Sequence, residues 1–332
     1  MIYNDKVYGD VNFNEKVLVD LINTDLMKRL KKVNQGGPFT LLNPEHRWRY
    51  LKTTRFEHSV GVCILLKKFS SSLEEQIAGL LHDVSHTVFS HSLDFLFNRG
   101  VQHDYHEMFH DQMILNSNAP SILKKHGFDV DEILDEKKFT LLERELPNLC
   151  ADRIDYYFRF MLEYRKFSKK NINDMFNALI VHNKEIIFSD KVQARFFADN
   201  YIEANNFSWC SPIQAALFHT VSEMMRMAIS KGIVEKADVF TTDDVVIEKL
   251  KNSNDKEIKE MLDLIYNIEV IENQKDYDIH LKSKVRWTDP KILIDGNVSR
   301  LSEIDDEYKK LMENFIAERS KGFFVKIRRK EN

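Results

Sequence analysis

The stretch EEQIAGLLHDVSHTVFSHSLDF, residues 74–95, places the pair His82-Asp83 at the end of an apolar run and adds His86 and His91 soon after. The apolar residues recur every three or four positions, which predicts a buried helix over 74–84. A charged carboxylate beside a buried helix is costly unless it is paired or bound to a metal ion. The stretch therefore indicates either half of a metal site or a polar helix face that is rich in histidine.

Two other predicted helices, over 55–70 and 148–165, offer side chains that complete such a site. His58 lies in the first and Asp152 in the second. With His82-Asp83 they give two imidazoles and two carboxylates, which suit Mn, Fe, Co, Ni, Zn or Mg better than a sulfur-loving ion. A divalent ion held this way lowers the pKa of bound water and orients it for attack on a phosphate. Ordinary hydrogen-bonded contacts between helices are the alternative.

Histidines are concentrated in one part of the chain, which favours a functional site over scattered surface positions. Seven of the 12 histidines lie between residues 58 and 110: His58, His82, His86, His91, His103, His106 and His110. We expect the remaining five to be surface or satisfied core residues: His46, His126, His182, His219 and His280.

Length and composition indicate one main core with an appendage. The chain has 332 residues and is 43% apolar and 30% charged, which is enough apolar material for a core. Its net charge of −4 means that the molecule as a whole does not attract nucleic acid or an acidic membrane. We predict a helical core over 1–230, with the metal site within 50–165, and a C-terminal α+β appendage over 231–332. The boundary is expected within 230–244.

Cysteine usage and the absence of other motifs narrow the class of protein. The cysteines Cys63, Cys150 and Cys210 are far apart and form no CxxC pair, which favours a reducing cytosol over a disulfide framework. We expect neither a secretory signal nor a membrane span, because no apolar run is long enough. No P-loop, GxGxxG or GxSxG is present.

Helical periodicity dominates the rest of the chain. Helices are predicted over 14–34 with a break near Thr24, and over 55–70, 74–84, 104–116, 148–165, 193–206, 212–231, 242–252 and 255–267. Strands are predicted over 185–190, 284–289 and 322–329. We therefore predict a mainly α protein with a small β element.

Four segments together resemble the HD-superfamily metal-dependent phosphohydrolases, and most of all the deoxynucleoside triphosphate triphosphohydrolases of that superfamily. The segments are RFEHS (55–59), HDVSHTVFSH (82–91), HE (106–107) and ADRIDYYFR (151–159). The resemblance covers half of the chain and implies an HD-domain helical bundle. It also implies that His58, His82, Asp83 and Asp152 are the metal ligands.

The resemblance further implies a role for eight other residues. The catalytic residues would be His86, His106 and Asp94, with Asp94 assisting His106 as the proton donor. The substrate-binding residues would be Gln35 at the sugar and Arg55, His91, Arg153 and Tyr156 at the phosphates. Planar or point cations and histidines near neutral pKa are suited to holding and protonating a polyphosphate.

Two positions depart from the pattern of the triphosphohydrolases. Phe160 stands where they carry an aspartate that binds the sugar 3′-hydroxyl, and Gly36 stands where a bulkier side chain helps to exclude ribose. We therefore keep three hypotheses: a (deoxy)nucleoside triphosphate triphosphohydrolase first, then a phosphomonoesterase or phosphodiesterase on another nucleotide, then a non-catalytic HD module that binds nucleotide or nucleic acid. We expect a nucleotide substrate and a cytoplasmic homo-oligomer, and we do not favour nucleic acid as partner.

Overall fold

The computed structural model describes residues 1–97 and 104–330, and His103, one of the clustered histidines, lies outside them. The described chain is mainly α-helical, which confirms the predicted fold class. The helices are α1 (Lys16–Ile22), α2 (Asp25–Arg29), α3 (Arg55–Lys68), α4 (Leu73–Leu81), α5 (Ser92–Leu96), α6 (His110–Leu115), α7 (Ala119–Lys125), α8 (Val130–Leu134), α9 (Ala151–Glu163), α10 (Lys169–Ala178), α11 (Lys191–Ala204), α12 (Pro212–Ser230), α13 (Asp243–Asn252), α14 (Lys256–Tyr266), α15 (Leu301–Ile304) and α16 (Asp306–Arg319). Short 3₁₀ helices cover Leu30–Lys32, Pro38–Leu41, His106–Phe109, Glu136–Lys138 and Lys236–Phe240, and a π-helix covers Asn205–Trp209.

Strands in the described part of the chain form three small sheets. They are β1 (Ile2–Asp5), β2 (Gly9–Asn12), β3 (Leu179–His182), β4 (Glu185–Phe188), β5 (Ile268–Glu272), β6 (Ile279–Leu281), β7 (Lys291–Ile294), β8 (Asn297–Arg300) and β9 (Phe323–Arg329). The sheet orders are β1-β2, β3-β4-β7-β8 and β5-β9-β6. Neighbours are antiparallel except β4 and β7, where Phe188 lies opposite Ile292.

Helices α3, α4 and α9 pack together at the centre of the core. Helix α3 begins at a capping box, in which Thr54 Oγ1 accepts from Glu57 N and the Glu57 carboxylate accepts from Thr54 N. Ser72 caps α4 in a similar way by accepting from Glu75 N. Every residue from position 58 to 66 of α3 is buried, so this helix presents no solvent face. A histidine on α3 is consequently in the protein interior.

Every predicted helix contains helical structure, but two predicted elements differ from the structure and several observed elements have no predicted counterpart. The interruption near Thr24 is confirmed, since α1 ends at Ile22 and Thr24 caps α2. The helix predicted over 104–116 is divided into a 3₁₀ turn and α6. The strand predicted over 284–289 is wrong: this segment crosses between two sheets, and Asp289 N donates to Pro147 O, 3.1 Å away, rather than to a neighbouring strand. Helices α5, α7, α8, α10, α15 and α16, the hairpin β1-β2 and the strands β3 and β5 to β8 were not predicted.

Residues after position 230 contact the helical core directly. Asp243 Oδ2 accepts from Asn34 N at 2.9 Å, and Asp243 Oδ1 accepts from Phe89 N at 2.8 Å. Asp243 therefore holds two loops that lie beside the cavity described below. The division of the chain at residue 230 stays a prediction. No helix in 1–97 or 104–330 combines the length and the hydropathy that crossing a membrane requires.

Candidate active site

The three central helices bring the predicted metal ligands together from distant parts of the chain. His58 lies on the first turn of α3, and Asp152 lies on the first turn of α9. His82 and Asp83 directly follow the last turn of α4. Because α3 packs against both α4 and α9, these helix ends come close together inside the protein.

The ligand atoms converge at the spacing that a metal ion requires. Asp152 Oδ1 lies 2.9 Å from His58 Nε2 and 3.6 Å from His82 Nε2. The Asp83 carboxylate lies 3.7 Å from His58 Nε2 and 3.5 Å from His82 Nε2. Ligand atoms at about 2.1 Å from one ion lie about 3.0 to 3.4 Å apart in octahedral or tetrahedral geometry. His58, His82 and Asp152 each offer a ligand atom within 4.8 Å of the other two, so these three side chains fit a single divalent ion, and the Asp83 carboxylate lies beside them.

Hydrogen bonds at the far side of each imidazole direct Nε2 toward the centre. His58 Nδ1 donates to Asp155 Oδ2 at 2.8 Å, and His82 Nδ1 donates to Gly79 O at 2.8 Å. His82 Nε2 is buried and forms no hydrogen bond with any described residue. A carboxylate behind a ligand histidine fixes its tautomer and raises its basicity. The chemistry of these donors is therefore that of a metal centre rather than of ordinary helix contacts.

The charges at the centre favour binding of a cation. Burial lowers the pKa of His82, but the Asp83 and Asp152 carboxylates outweigh burial and raise this pKa to about 10. Burial raises the pKa of Asp83, but Arg55 and His82 outweigh it and hold this pKa well below its usual value. Without a metal ion, the carboxylates thus keep a proton on His82, and a divalent ion would displace this proton and supply the positive charge in its place.

His86, His91 and His106 form a wall of imidazoles beside the metal ligands. The rings of His86 and His106 stack with centroids 3.6 Å apart, and the His91 ring lies 5.0 Å from that of His86. Burial lowers the pKa of His86 to about 4 and the pKa of His106 well below its usual value. His86 and His106 are therefore neutral at neutral pH, and each can donate one N–H to a phosphate oxygen.

Asp94 supports His91 rather than His106, the partner expected from the sequence. His91 Nδ1 donates to Asp94 Oδ2 at 2.9 Å, and Tyr105 N donates to Asp94 Oδ1 at 3.1 Å. Burial raises the pKa of Asp94 to about 7. Asp94 can therefore hold a proton near neutral pH, and it orients His91 through Nδ1.

One cavity of about 720 Å³ contains all the predicted site residues except Asp94, which lies behind His91. The predicted phosphate-binding guanidinium groups already have partners. Arg55 Nη1 donates to Asp83 Oδ2 at 2.8 Å, and Arg153 Nη2 donates to Arg144 O at 3.2 Å. Gln35 and Tyr156 also line the cavity, and the Tyr156 hydroxyl is hydrogen-bonded to that of Tyr201. The roles of these residues toward a substrate stay predictions.

Aromatic side chains form another part of the cavity wall. The rings of Phe160 and Trp209 lie with centroids 4.8 Å apart, and Trp209 reaches the cavity from the π-helix that follows α11. A Cβ atom at Gly36 would lie 2.2 Å from Cε2 of Phe39. The Phe39 ring thus fills the space that a side chain at position 36 would need.

Comparison with known proteins agrees with this site. A model of the HD domain matches residues 55–159, which include all four predicted metal ligands. An uncharacterized protein of Bacillus subtilis, YdhJ, is 36% identical over 331 residues, which cover 98% of this chain and 99% of YdhJ. Metal-dependent phosphohydrolase cns2 of Cordyceps militaris is 28% identical over 250 residues, 74% of this chain and 71% of cns2. This chain is an HD-superfamily phosphohydrolase.

As an HD phosphohydrolase, the protein is an enzyme that uses a divalent metal ion. The deoxynucleoside triphosphate triphosphohydrolase SAMHD1 of Mus musculus is 28% identical to it over 155 residues, which cover 40% of this HD phosphohydrolase and 22% of SAMHD1. This likeness covers less than half of either chain. The substrate of SAMHD1 therefore supports a proposal and does not establish a substrate here.

Several residues of the HD phosphohydrolase that shape the site were not identified as site residues from the sequence. Asp155 carried a signal, because it follows Asp152 on the same helix face. The sequence around Trp209 contains no feature that distinguishes a cavity residue from a core residue. Lys284 and Arg286 line the cavity from the segment whose pattern indicated a strand, so the sequence did not point to them.

Asp155→Asn should weaken metal binding by the HD phosphohydrolase about 10- to 100-fold, because a neutral amide cannot make His58 a stronger ligand. Calorimetric titration with Mn²⁺ measures the affinity. Asp174→Asn is the control, since Asp174 forms an exposed pair with Lys170 far along α10. Unchanged Mn²⁺ affinity in Asp155→Asn, with an unchanged melting temperature, would contradict the positioning role.

Proposed function

We propose that this HD phosphohydrolase hydrolyses nucleoside triphosphates, deoxynucleoside triphosphates first, to nucleoside and triphosphate. The observation that carries the proposal is a single cavity that joins the metal ligands, the histidine wall and the aromatic wall. A nucleotide has phosphates at one end and a base that stacks on aromatic rings at the other. A volume of about 720 Å³ is in the range usual for small-molecule sites. The likeness to mouse SAMHD1 supports the same substrate class.

The residues of the cavity have distinct tasks in this reaction. A bound divalent ion supplies Lewis-acid activation of water and neutralises phosphate charge. His86 and His106 donate N–H hydrogen bonds to phosphate oxygens, which stabilise the charge that develops there. His91, oriented by Asp94 and in its imidazolium form, gives a proton to the oxygen that leaves, so that the nucleoside departs as an alcohol and His91 becomes neutral.

A second candidate function is phosphomonoesterase or phosphodiesterase activity on another nucleotide. Phe160 and Phe39 favour it, because they make an apolar surface where the triphosphohydrolases bind the sugar through polar groups. A phenyl ring cannot accept a hydrogen bond from a sugar 3′-hydroxyl. The sugar would then be recognised by shape and stacking, or a different sugar would be preferred.

A substrate panel tests both candidates. Purified protein with Mn²⁺ is incubated with deoxynucleoside triphosphates, ribonucleoside triphosphates, nucleoside monophosphates and cyclic dinucleotides, and products are separated by chromatography. We expect nucleoside and inorganic triphosphate from the deoxynucleoside triphosphates. Orthophosphate from a monophosphate, or a cleaved diester, would support the second candidate instead. No product from any nucleotide would support the non-catalytic hypothesis.

The proposal also includes a homo-oligomer, manganese as the metal ion and a cytosolic location. All three cysteines, Cys63, Cys150 and Cys210, are free and buried, which agrees with a reducing compartment. Light scattering measures the oligomeric state, and elemental analysis of the purified protein identifies the metal.

A further inference from the structure

A segment without regular structure, residues 282–290, connects β6 to β7 and passes along the cavity; we name it the crossing segment. At one end it continues β6, which pairs with β9. At the other end Asp289 N donates to Pro147 O at 3.1 Å, and Asp289 Oδ1 accepts from Ser302 N at 3.0 Å. The crossing segment is thus fixed at both ends, and its side chains are held in place beside the cavity.

Arg286 is the guanidinium of the crossing segment; it lines the cavity, and no described residue pairs with it. It is partly buried, yet it forms no hydrogen bond or ion pair with any residue in 1–97 or 104–330. By contrast, Arg144, which is similarly buried and also lines the cavity, is paired with Glu185. A partly desolvated guanidinium has five donors to satisfy and fits the paired oxygens of a phosphate.

Other cations lie close to Arg286, so positive charge accumulates on this wall. Lys284 lines the same cavity, and its pKa is lowered by burial first and then by Arg286, with Arg153 adding a smaller effect. Glu107 and Glu143 act on Lys284 in the opposite direction. Cations that repel one another in a cavity are stabilised when an anion with several charges enters it.

Nucleoside monophosphates and triphosphates differ in the number of phosphates that the cavity must bind. In the proposed reaction, the metal ligands and the histidine wall bind one phosphate. The guanidinium groups predicted from the HD motif, Arg55 and Arg153, already donate to protein atoms, although Arg153 Nε has no partner among the described residues. Further cations in the cavity favour binding of a second or third phosphate, and the crossing segment supplies Lys284 and Arg286.

We propose that Arg286, together with Lys284, binds the additional phosphates of a polyphosphate substrate and so selects nucleoside triphosphates over monophosphates. The inference rests on the proposed function, because it assumes that the cavity binds phosphates of a nucleotide. It assigns a substrate-binding role to a segment that lies outside the matched HD domain, residues 55–159.

The test compares Arg286→Gln with Lys282→Gln, which removes the same charge from an exposed position of the same segment that does not line the cavity. Metal-loaded protein is titrated calorimetrically with inorganic triphosphate and, separately, with orthophosphate, at equal Mn²⁺ in cell and syringe. We expect Arg286→Gln to weaken triphosphate binding about tenfold or more, because a charge-assisted bidentate contact is lost. Orthophosphate binding should be unchanged, Lys282→Gln should match the unaltered protein for both anions, and Arg286→Lys should recover part of the loss.

Two results would overturn the inference. One is equal triphosphate affinity in Arg286→Gln and the unaltered protein when both melt at the same temperature. The other is absence of triphosphate binding to the unaltered protein. Failure of the proposed function is distinguishable: a panel without nucleoside and triphosphate as products, combined with binding that depends on Arg286, would remove the proposed reaction and retain the binding role.

Discussion

His82→Ala should remove the metal ion and reduce hydrolysis by about a thousandfold or more, because a metal ion contributes several kcal/mol to stabilising the transition state. The Nε2 atom of His82 lies 3.6 Å from Asp152 Oδ1 and has no hydrogen-bond partner among the described residues. An imidazole nitrogen buried in this way agrees with the predicted role of His82 as a metal ligand. Without this imidazole the remaining ligands leave one side of the ion open.

The fold should survive this change. The side chain of His82 makes one hydrogen bond, from Nδ1 to Gly79 O of its own helix, and it lies at the end of α4. Elemental analysis gives the metal-to-protein ratio, the substrate panel gives the activity, and circular dichroism gives the helix content. His182→Ala is the matched control, because His182 lies on β3 away from the cavity. Full metal content and activity in His82→Ala would show that the assigned ligands are wrong.

The proximity of the predicted metal ligands could be expected from the sequence, because several of them carry local signals. His82-Asp83 directly follows an apolar helix, and the ends of the helices are marked by capping residues such as Thr54 and Ser72. The partner of Asp94 also had a local signal, since His91 precedes it by three residues and such pairs face each other on a helix. The expectation that Asp94 assists His106 followed the family resemblance instead, and the structure pairs Asp94 with His91.

Lys284 and Arg286, the cations of the crossing segment, could not be predicted as site residues. Their position beside the cavity depends on contacts between distant parts of the chain. Residues 284–289 contain β-branched and aromatic residues, which favour a strand. Instead, Asp289 N donates to Pro147 O in a distant loop, and Arg286 of the same segment lines the cavity. Local propensity contains no information about such a contact. Likewise, nothing near Gly36 in the sequence indicates that the Phe39 ring occupies the space beside it.

Arg159→Ala should lower the free energy of unfolding by about 3 to 5 kcal/mol, because it leaves two buried carboxylates without their cation. Arg159 Nε donates to Asp155 Oδ2 at 2.7 Å, and Arg159 Nη2 donates to Asp5 Oδ2 at 2.7 Å. The three side chains are at most 2% exposed. Urea unfolding followed by circular dichroism measures the change. Since Asp155 also holds His58, the metal affinity should fall together with the stability.

Arg195→Ala is a closely matched control. Arg195 pairs with Asp199 on the next turn of its helix and with Asp305 from a distant segment, both at 2.8 Å. The arrangement is the same as that of Arg159, but the Arg195 and Asp199 side chains are 27% and 37% exposed. Ion pairs in contact with water contribute about 0 to 1 kcal/mol, so Arg195→Ala should cost no more than that. Equal losses in the two variants would contradict the assigned role of burial.

A second substitution, Asp5→Asn, distinguishes loss of charge pairing from loss of packing through the sign of its effect on the free energy of unfolding. In the otherwise unaltered protein, Asp5→Asn should be destabilising, because Arg159 loses an ionised partner. In the Arg159→Ala background the same change should be stabilising, since it removes a buried charge that has no cation, while the amide oxygen can still accept from Val7 N and Tyr8 N. A cavity left by the arginine side chain would make Asp5→Asn equally unfavourable in both backgrounds. Opposite signs in the double-mutant cycle therefore require the buried Asp5–Arg159–Asp155 network, which links the N-terminal hairpin to His58 at the metal centre.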